Sequence, residues 1–239
     1  KFYKYFNTKA LNRNLKVISF SKKNQSDIKL EKIKRQKNIS IVKVNIKGTS
    51  RNFKIKRNLE SFPENILASL AVISNFFDLN NISNKFFFNY NLPPGRGDYK
   101  IIKFNKKKIH LIDESYNSNP LSLDFALNNF NKLQRNSKRK IILLGDMLEL
   151  GKFSKKLHLD AAKIVNKTNI NRVYVYGKRI TYTYNKIRPQ KRGKILYSSK
   201  DVSNFLKNDI KDGEYLMVKG SNSTGLNEMM KKLKLGKIN

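Results

Sequence analysis

An apolar stretch of this 239-residue chain ends in two adjacent acids, and these are the side chains best placed for chemistry. Asp113 and Glu114 precede a turn that is bracketed by Asn117 and Asn119, and Pro120 follows directly. Asn119 can cap a helix and Pro120 fits its first position, so the sequence predicts a buried strand, a turn and a helix. Ligands of open α/β sheets bind at such strand ends.

The elements that would position these side chains alternate along the second part of the chain. Short apolar strands and amphipathic stretches follow one another from about residue 108 onward. This alternation predicts an α/β fold with a Rossmann-like, mostly parallel sheet that helices cover on both faces. The predicted strands are residues 108–113, 140–145, 172–176, 194–197 and 214–218. The predicted helices are residues 121–134, 154–167, 179–187, 200–207 and 225–235.

Residues 1–91 have a different pattern. Residues 15–20 form an apolar run that predicts a buried strand, while residues 39–46 and 53–56 alternate around Gly48 as an antiparallel hairpin does. We therefore expect a hairpin-containing unit ahead of the parallel sheet.

A helix is predicted from Pro63 to about Leu79, with Ser61 as its cap. Its apolar stripe should face the core of this first unit. The stripe consists of Ile66, Leu67, Leu70, Ile73 and Phe77. The sequence Leu-Pro-Pro-Gly at residues 92–95 predicts a linker, because the two prolines stiffen the crossing and the glycine permits a turn.

The composition of the chain is strongly basic. Lys and Arg total 51 against 17 Asp and Glu, which gives a formal net charge of +34. Such a charge is compatible with a nucleic-acid-binding surface. The basic residues are, however, spread from Lys1 to Lys237 rather than clustered. The joint abundance of Lys, Asn and Ile is typical of an AT-rich coding sequence. We therefore expect no specific nucleic-acid partner.

Other compositional features exclude several kinds of site. The chain has no cysteine, which excludes disulfides, thiolate metal ligands and cysteine nucleophiles. No apolar run approaches the roughly 20 residues of a membrane span, and the first residues lack the apolar region of a signal peptide. These features predict a cytoplasmic, monomeric protein without a membrane partner.

Four segments in order carry a resemblance to a known family. They are Pro-Gly-Arg-Gly at residues 94–97, Asp-Glu-Ser-Tyr-Asn-Ser-Asn-Pro at 113–120, Leu-Gly-Asp-Met-Leu-Glu-Leu-Gly at 144–151, and Val-Lys-Gly-Ser at 218–221. Together they resemble the Mur ligases, in the branch that adds D-alanyl-D-alanine to a UDP-linked muramoyl tripeptide. Ser118 stands where this branch usually has Ala. The resemblance covers roughly residues 92–239.

The resemblance implies an ATP-dependent ligase in which ATP phosphorylates a carboxylate and an amine attacks the acyl phosphate. It implies ATP and Mg²⁺ as cofactors, with UDP-N-acetylmuramoyl-tripeptide and D-alanyl-D-alanine as substrates. The chain contains no G-x-x-x-x-G-K-[ST] phosphate loop, and the resemblance places this loop and the magnesium-binding Glu in an earlier stretch of the full-length protein.

The domain prediction follows from the same resemblance. Residues 1–94 correspond to the incomplete end of the ATP-binding central α/β domain, and residues 95–239 correspond to the C-terminal domain. The main catalytic groups would lie in the missing part. We therefore expect the 239-residue chain to be inactive by itself.

For the nucleotide, the resemblance implies contacts from five residues. They are Asn65, Arg96, Glu114, Asn117 and Asn119. A planar guanidinium suits phosphate oxygens, and carboxylate or amide groups suit ribose hydroxyls and adenine. The alternatives are a solvated linker arginine and asparagines that only stabilise a turn and a cap. Residues 61–65 keep only the last Asn of the family's His-Asn-x-x-Asn pattern.

For the dipeptide, the resemblance implies a second group of residues. They are Asp146, Glu149, His158, Lys219 and Ser221. The acids and the histidine fit either a general base or charges that orient an ammonium group, and Lys219 fits a carboxylate or the acyl phosphate. The alternatives are a packed helical histidine and structural roles for Lys219 and Ser221. The two histidines of the chain do not by themselves predict a metal site.

Two other functions fit parts of the sequence. One is another Mur-type amide ligase, including a folylpolyglutamate synthase-like enzyme, and the other is a noncatalytic basic α/β module that binds nucleic acid. The ligase hypothesis predicts that Arg96, Glu114, Asn119, Asp146 and Lys219 lie at one edge of the sheet. The nucleic-acid hypothesis predicts one surface of Lys and Arg with exposed aromatic side chains.

Overall fold

The computed structural model describes residues 2–36, 39–56, 59–60, 63–133 and 138–237. The chain forms two compact units, Lys1–Leu92 and Pro93–Asn239, which we call the N-terminal unit and the C-terminal unit. Their boundary lies two residues before the predicted one. That the two units correspond to a central and a C-terminal ligase domain stays a prediction. Ser61 and Gln134, the predicted cap and helix end, lie outside the described residues.

The N-terminal unit is built on a four-stranded sheet with the order β1-β2-β3-β4. Strands β1 and β2 are parallel and the other pairs are antiparallel. Helix α2 packs its apolar side chains against one face of this sheet, whereas no residue of helix α1 is buried. The elements are α1 (Tyr3–Leu11), β1 (Phe20–Ser21), β2 (Ile28–Arg35), β3 (Ile39–Ile46), β4 (Thr49–Lys56) and α2 (Pro63–Ile73).

The predicted hairpin around Gly48 is confirmed, because β3 and β4 pair in register from Ile46 and Thr49 outward. The predicted strand at residues 15–20 is wrong, since only Phe20–Ser21 is a strand and Leu15 is 55% exposed.

Helix α2, which was predicted to run from Pro63 to about Leu79, is shorter than expected. It ends at Ile73, and Phe77 is 67% exposed rather than part of the core. The side chains of Ser74 and Asn75 bond to carbonyl oxygens of the last helical turn, and such bonds compete with helix continuation. The earlier part of the stripe is confirmed, since Ile66, Leu67 and Leu70 are buried.

The C-terminal unit is built on a six-stranded sheet with the order β5-β6-β10-β7-β8-β9. Strand β5 pairs antiparallel with β6, and all other neighbours are parallel. The strands are β5 (Asp98–Phe104), β6 (Lys107–Glu114), β7 (Lys140–Gly145), β8 (Arg172–Tyr176), β9 (Arg192–Leu196) and β10 (Tyr215–Lys219). The helices are α3 (Pro120–Lys132), α4 (Ser154–Asn166), α5 (Thr181–Tyr184), α6 (Ser199–Asn208) and α7 (Leu226–Lys234).

Both faces of this sheet are covered, which explains why its central strands are apolar at successive positions. One core packs the sheet against α6 and α7, and the other packs it against α3 and α4. The predicted Rossmann-like α/β fold is confirmed. The predicted strands agree with the observed ones within two residues, and the predicted helix at 179–187 is a single turn at Thr181–Tyr184. No helix in the described part of the chain is long and apolar enough to cross a membrane.

Candidate functional site

Three neighbouring strands of the C-terminal sheet end at the same edge. In the order β6-β10-β7, Glu114 pairs in register with Lys219, and Lys219 pairs with Leu144. The last residues of these strands and the turns that follow them carry most of the predicted site residues. Because parallel strands share one carboxyl edge, residues distant in sequence lie side by side here.

Glu114 and Lys219 form an ion pair at the centre of this edge. The Lys219 Nζ lies 3.5 Å from Glu114 Oε2 and donates a 2.9 Å hydrogen bond to the main-chain oxygen of Asn117. The Lys219 side chain is only 1% exposed, against 18% for Glu114. Burial raises the pKa of the Glu114 carboxyl and lowers the pKa of the Lys219 ammonium, while the attraction between the two groups opposes both shifts.

The turn at residues 95–97 lies beside this pair, since a Cβ at Gly97 would be 3.0 Å from Glu114 Oε1. The Arg96 guanidinium carbon lies 4.3 Å from the centre of the Tyr116 ring, which is a cation–π arrangement, and Arg96 is exposed. Gly95 adopts a φ of +79°, and a Cβ there would lie 2.9 Å from the Tyr116 nitrogen. Only glycine therefore allows this turn to approach the end of β6 so closely.

The two asparagines of the turn after β6 have different surroundings. Asn117 is exposed, and its side-chain oxygen accepts a 2.7 Å hydrogen bond from the Ser118 amide. Asn119 caps α3, because its side-chain oxygen accepts a hydrogen bond from the Ser122 amide and the Ser122 hydroxyl accepts one from Asn119. The predicted cap is confirmed for Asn119. Asn117 presents its amide group at the surface.

Asp146 and Ser221 connect the turns after neighbouring strands. The Asp146 carboxylate accepts a 2.7 Å hydrogen bond from the amide of Ile180, at the start of α5. The Ser221 hydroxyl accepts a 2.9 Å hydrogen bond from the amide of Leu148, and its own amide donates to the Asp146 main-chain oxygen. Both side chains are therefore used to hold the loops of this edge in place.

His158 lies on α4 beneath the same loop and is completely buried. Its Nδ1 lies 2.8 Å from the Ser154 carbonyl oxygen, and its Nε2 accepts a 3.1 Å hydrogen bond from the Met147 amide. These two partners require a neutral imidazole with the proton on Nδ1. Burial lowers the pKa of His158, which agrees with this form. The geometry favours the alternative of a packed histidine.

Glu149 is the one exposed acid of the stretch from residue 144 to 151. Its φ of +60° lies in the left-handed region, which is unfavourable for a residue with a Cβ. The main-chain conformation at this position directs the Glu149 side chain to the surface of the loop.

These residues form two groups, which we name by their strands. The β6 edge comprises Arg96, Glu114, Tyr116, Asn117 and Lys219. The β7 loop comprises Asp146, Glu149, His158 and Ser221. Asn65 belongs to the N-terminal unit, where it is exposed and lines a cavity of 140 Å³.

Comparison with known proteins shows the family of the chain. Residues 100–222, more than half of the chain, match the family model described as Mur ligase, glutamate ligase domain. This chain belongs to the Mur ligase family. The resemblance carried by the four sequence segments is thereby confirmed.

Individual Mur ligases give the extent of the similarity. The UDP-N-acetylmuramoyl-tripeptide–D-alanyl-D-alanine ligase of Bacillus subtilis (strain 168) is 27% identical over 128 residues, which are 52% of this chain and 28% of that protein. The ligase of the same name from Buchnera aphidicola subsp. Acyrthosiphon pisum is 34% identical over 128 residues, which are 52% of this chain and 26% of that protein.

A solved Mur ligase shares the fold over nearly the whole chain. The crystal structure of a MurF ligase from Thermotoga maritima in complex with ADP superposes with a TM-score of 0.74 at 18% identity. The match covers 99% of this chain and 52% of that one. This Mur ligase chain therefore spans about half the length of that relative.

The residues of the β6 edge fit a nucleotide better than a metal ion. An exposed guanidinium, an exposed amide and a partly exposed carboxylate offer the donors and acceptors that phosphate and ribose groups require. Within the residues that the structure describes, no group of three or more His, Asp or Glu side chains could hold a metal ion.

Sequence reasoning assigned no role to Asp98, Tyr116 or Lys234. It named Asp113 as one of the two acids placed for chemistry but gave it no specific contact. Tyr116 supports Arg96, and Asp113 is 1% exposed beneath the β6 edge. The position of Tyr116 two residues after Glu114 was a signal for its role, since it follows the same strand end. Lys234, on the last helix, had no local signal.

Proposed function

We propose that this chain is the C-terminal part of an ATP-dependent ligase that adds D-alanyl-D-alanine to UDP-N-acetylmuramoyl-tripeptide. The observation that carries the proposal is the β6 edge, where Lys219 joins Glu114 to Asn117 and Arg96 lies over the Tyr116 ring. All of these residues except Arg96 belong to the segment 100–222 that matches the Mur ligase family. The names of the curated relatives support this branch over a folylpolyglutamate synthase-like enzyme. Because ATP is a cytoplasmic metabolite, we place the reaction in the cytoplasm.

In this proposal the β6 edge binds the nucleotide. Arg96 binds phosphate oxygens through its planar, permanently charged fork, and Tyr116 orients it. Glu114 accepts hydrogen bonds from ribose hydroxyls, while Lys219 compensates its charge from below. Asn117 contributes the donor and acceptor of its amide. That Asn65, in the N-terminal unit, contacts a nucleotide stays a prediction from the sequence resemblance.

The dipeptide lies along the β7 loop in the same proposal. Glu149 attracts the ammonium group of the dipeptide in this proposal. Its carboxylate is exposed on the loop, so it can orient a cation that approaches from solvent. Asp146, His158 and Ser221 act on the dipeptide through the loop whose main chain they hold. Lys219 acts through Glu114 and Asn117.

The groups that hold Mg²⁺ and the transferring phosphoryl group would come from the part of the relatives that this chain does not match. Loss of one group that stabilises a transition state costs about 10²–10³ in rate. We therefore expect no measurable ligation by the 239-residue chain alone.

A chimera tests the proposal. The part of the Thermotoga maritima MurF ligase that its match to this chain leaves uncovered is joined to this chain, and ATP-dependent ligation of D-alanyl-D-alanine is measured. Three samples are compared: the chimera, this chain alone, and the chimera with Arg96→Ala. We expect activity in the unsubstituted chimera, none in this chain alone, and reduced activity with an increased KM for ATP in the Arg96→Ala chimera. Turnover by the chain alone, or an Arg96→Ala chimera with unchanged KM for ATP, contradicts the proposal.

A further inference from the structure

The turn that carries Arg96 is held by hydrogen bonds to two acids. The Gly95 amide donates a 2.7 Å hydrogen bond to Asp98 Oδ1, and the Gly97 amide donates one of 2.7 Å to the main-chain oxygen of Asp113. Asp98 and Asp113 are direct partners across the antiparallel pair of β5 and β6. The orientation of the Arg96 side chain therefore depends on where these two neighbouring acids are held.

A single cation from the last helix holds both acids. The Lys234 Nζ donates a 2.5 Å hydrogen bond to Asp113 Oδ2 and a further one to Asp98 Oδ2. The side chains of Lys234 and Asp113 are 14% and 1% exposed. The remaining oxygen of Asp113 accepts hydrogen bonds from the amide and the hydroxyl of Ser115. We call Lys234, Asp98 and Asp113 the Lys234 clasp.

The cation is what allows the two acids to be neighbours. Like charges directly opposite each other on adjacent strands destabilise a sheet, and a buried carboxylate requires a charged partner. Although burial opposes the charged form of Lys234, the hydrogen bonds of Asp113 and Asp98 outweigh it and raise the pKa of its ammonium. Lys234 therefore stays charged, and its removal leaves two adjacent carboxylates that repel each other.

We propose that Lys234 is a positioning residue for nucleotide binding, because it fixes Asp98 and Asp113 and through them the turn that aims Arg96. This inference rests on the proposed nucleotide role of Arg96. It assigns Lys234 of the last helix, 121 residues after Asp113 in the sequence, a part in shaping the turn at Arg96. Lys234 contacts no nucleotide in this account and acts only through the two acids.

The first test measures the turn itself, without any ligand. Amide hydrogen exchange is followed in the 239-residue chain and in Lys234→Met, Lys234→Arg and Lys231→Met. Lys231 is the matched control, since it is an exposed lysine on the same helix that pairs with Glu228. We expect Lys234→Met to speed exchange at Gly95 and Gly97 by about tenfold or more, the effect of losing one charge-assisted hydrogen bond. Lys234→Arg should restore protection, and Lys231→Met should not change it.

The second test connects the turn to the ligand. ADP affinity is measured in the chimera described above and in its Lys234→Met, Arg96→Ala and doubly substituted forms. We expect Lys234→Met to weaken ADP binding by about tenfold when Arg96 is present, and to have little further effect when Arg96 is already replaced by Ala. A merely structural role would instead lower the affinity of both backgrounds equally, which would overturn the proposal.

The two tests separate this inference from the proposed function. An unsubstituted chimera that does not bind ADP overturns the proposed function and the nucleotide part of the inference, while exchange at Gly95 still decides whether the clasp holds the turn. If Lys234→Met does not fold, Asp98→Asn weakens the clasp and keeps an oxygen acceptor for the Gly95 amide. Unchanged exchange at Gly95 in the folded variant overturns the clasp.

Discussion

The β6 edge and the β7 loop contain similar polar residues but use them differently. In the β6 edge the main chain is anchored, and the ends of Arg96 and Asn117 are exposed. In the β7 loop the carboxylate of Asp146 and both nitrogens of His158 are bonded to main-chain groups. Proximity to a strand end thus does not by itself make a polar side chain a ligand-binding group.

The difference lies in which atoms are already satisfied. A buried polar group must find a partner, and a loop amide nearby is the usual one. In the β7 loop, Asp146, His158 and Ser221 meet this requirement within the fold, so they stabilise the loop. In the β6 edge, Arg96 and Asn117 leave donors and acceptors at the surface for a ligand.

Lys219→Met should destabilise the chain most, although Lys219 belongs to the β6 edge. The substitution removes a buried cation, leaving Glu114 without its charged partner and the Asn117 oxygen without its donor. We expect a loss of about 3 kcal/mol in the free energy of unfolding, because breaking a buried pair leaves an uncompensated charge. Urea denaturation measures this loss. The exposed Lys231→Met, as the control, should stay within about 0.5 kcal/mol of the unsubstituted chain.

A small effect of Lys219→Met would contradict the structural interpretation of this lysine. It would indicate that Glu114 is compensated from elsewhere, and the original expectation of a direct contact between Lys219 and substrate would gain support. The β6 edge and the β7 loop would then differ more, because every charged residue of the β6 edge would bind a ligand.

His158→Phe should cost about 2 kcal/mol, the effect of leaving a buried amide without its acceptor, here that of Met147. The folded-state pKa of His158 is lowered by burial, so the unfolded chain binds the proton more readily. Stability should therefore fall as the pH drops below about 6.5, and His158→Phe should remove this part of the pH dependence. Urea denaturation at pH 7.5 and pH 5.5 measures both effects, with Lys156→Met on the same helix as the control.

A pH dependence that survives in His158→Phe would show that another group is responsible. If instead the folded variant kept its stability but lost dipeptide affinity in the chimera, His158 would be a binding residue. The two regions would then not differ in the way that their hydrogen bonds indicate.

The fold and the common edge were predictable, whereas most roles within the edge were not. Apolar runs of successive buried residues identify parallel strands, and such strands end at one edge, so the proximity of Glu114 and Lys219 followed from the pattern. The partners of Asp146 and His158 are loop amides, whose positions depend on tertiary structure. Lys234 lies 121 residues after Asp113, and no local pattern relates the two.

Asn119→Ala should separate capping from nucleotide binding. The side chain of Asn119 completes a capping box at the start of α3, so its loss should cost about 1 kcal/mol. If capping is its whole role, ADP affinity of the chimera should not change, and Asn119→Ser should recover most of the stability. Asn117→Ala is the matched comparison, for which we expect weaker ADP binding and a smaller loss of stability. Weaker ADP binding in Asn119→Ser, with stability preserved, would assign Asn119 to the nucleotide site.

Glu149 gives the smallest effect on stability and the most direct test of the β7 loop. The left-handed conformation at Glu149 destabilises the folded state by about 1 kcal/mol, because the residue has a Cβ. Glycine removes this strain, but it also gives the unfolded chain more conformational entropy, which destabilises the folded state by a similar amount. Glu149→Gly should therefore change stability by only a few tenths of a kcal/mol, whereas Glu149→Gln keeps the strain and removes the charge.

If Glu149 attracts the ammonium group of the dipeptide, both variants of the chimera should raise the KM for D-alanyl-D-alanine to the same extent. An increase in Glu149→Gly alone would show that the loop conformation matters and the charge does not. An unchanged KM in both would leave the β7 loop without any side chain that meets a ligand, and its acids and histidine would then serve the fold alone.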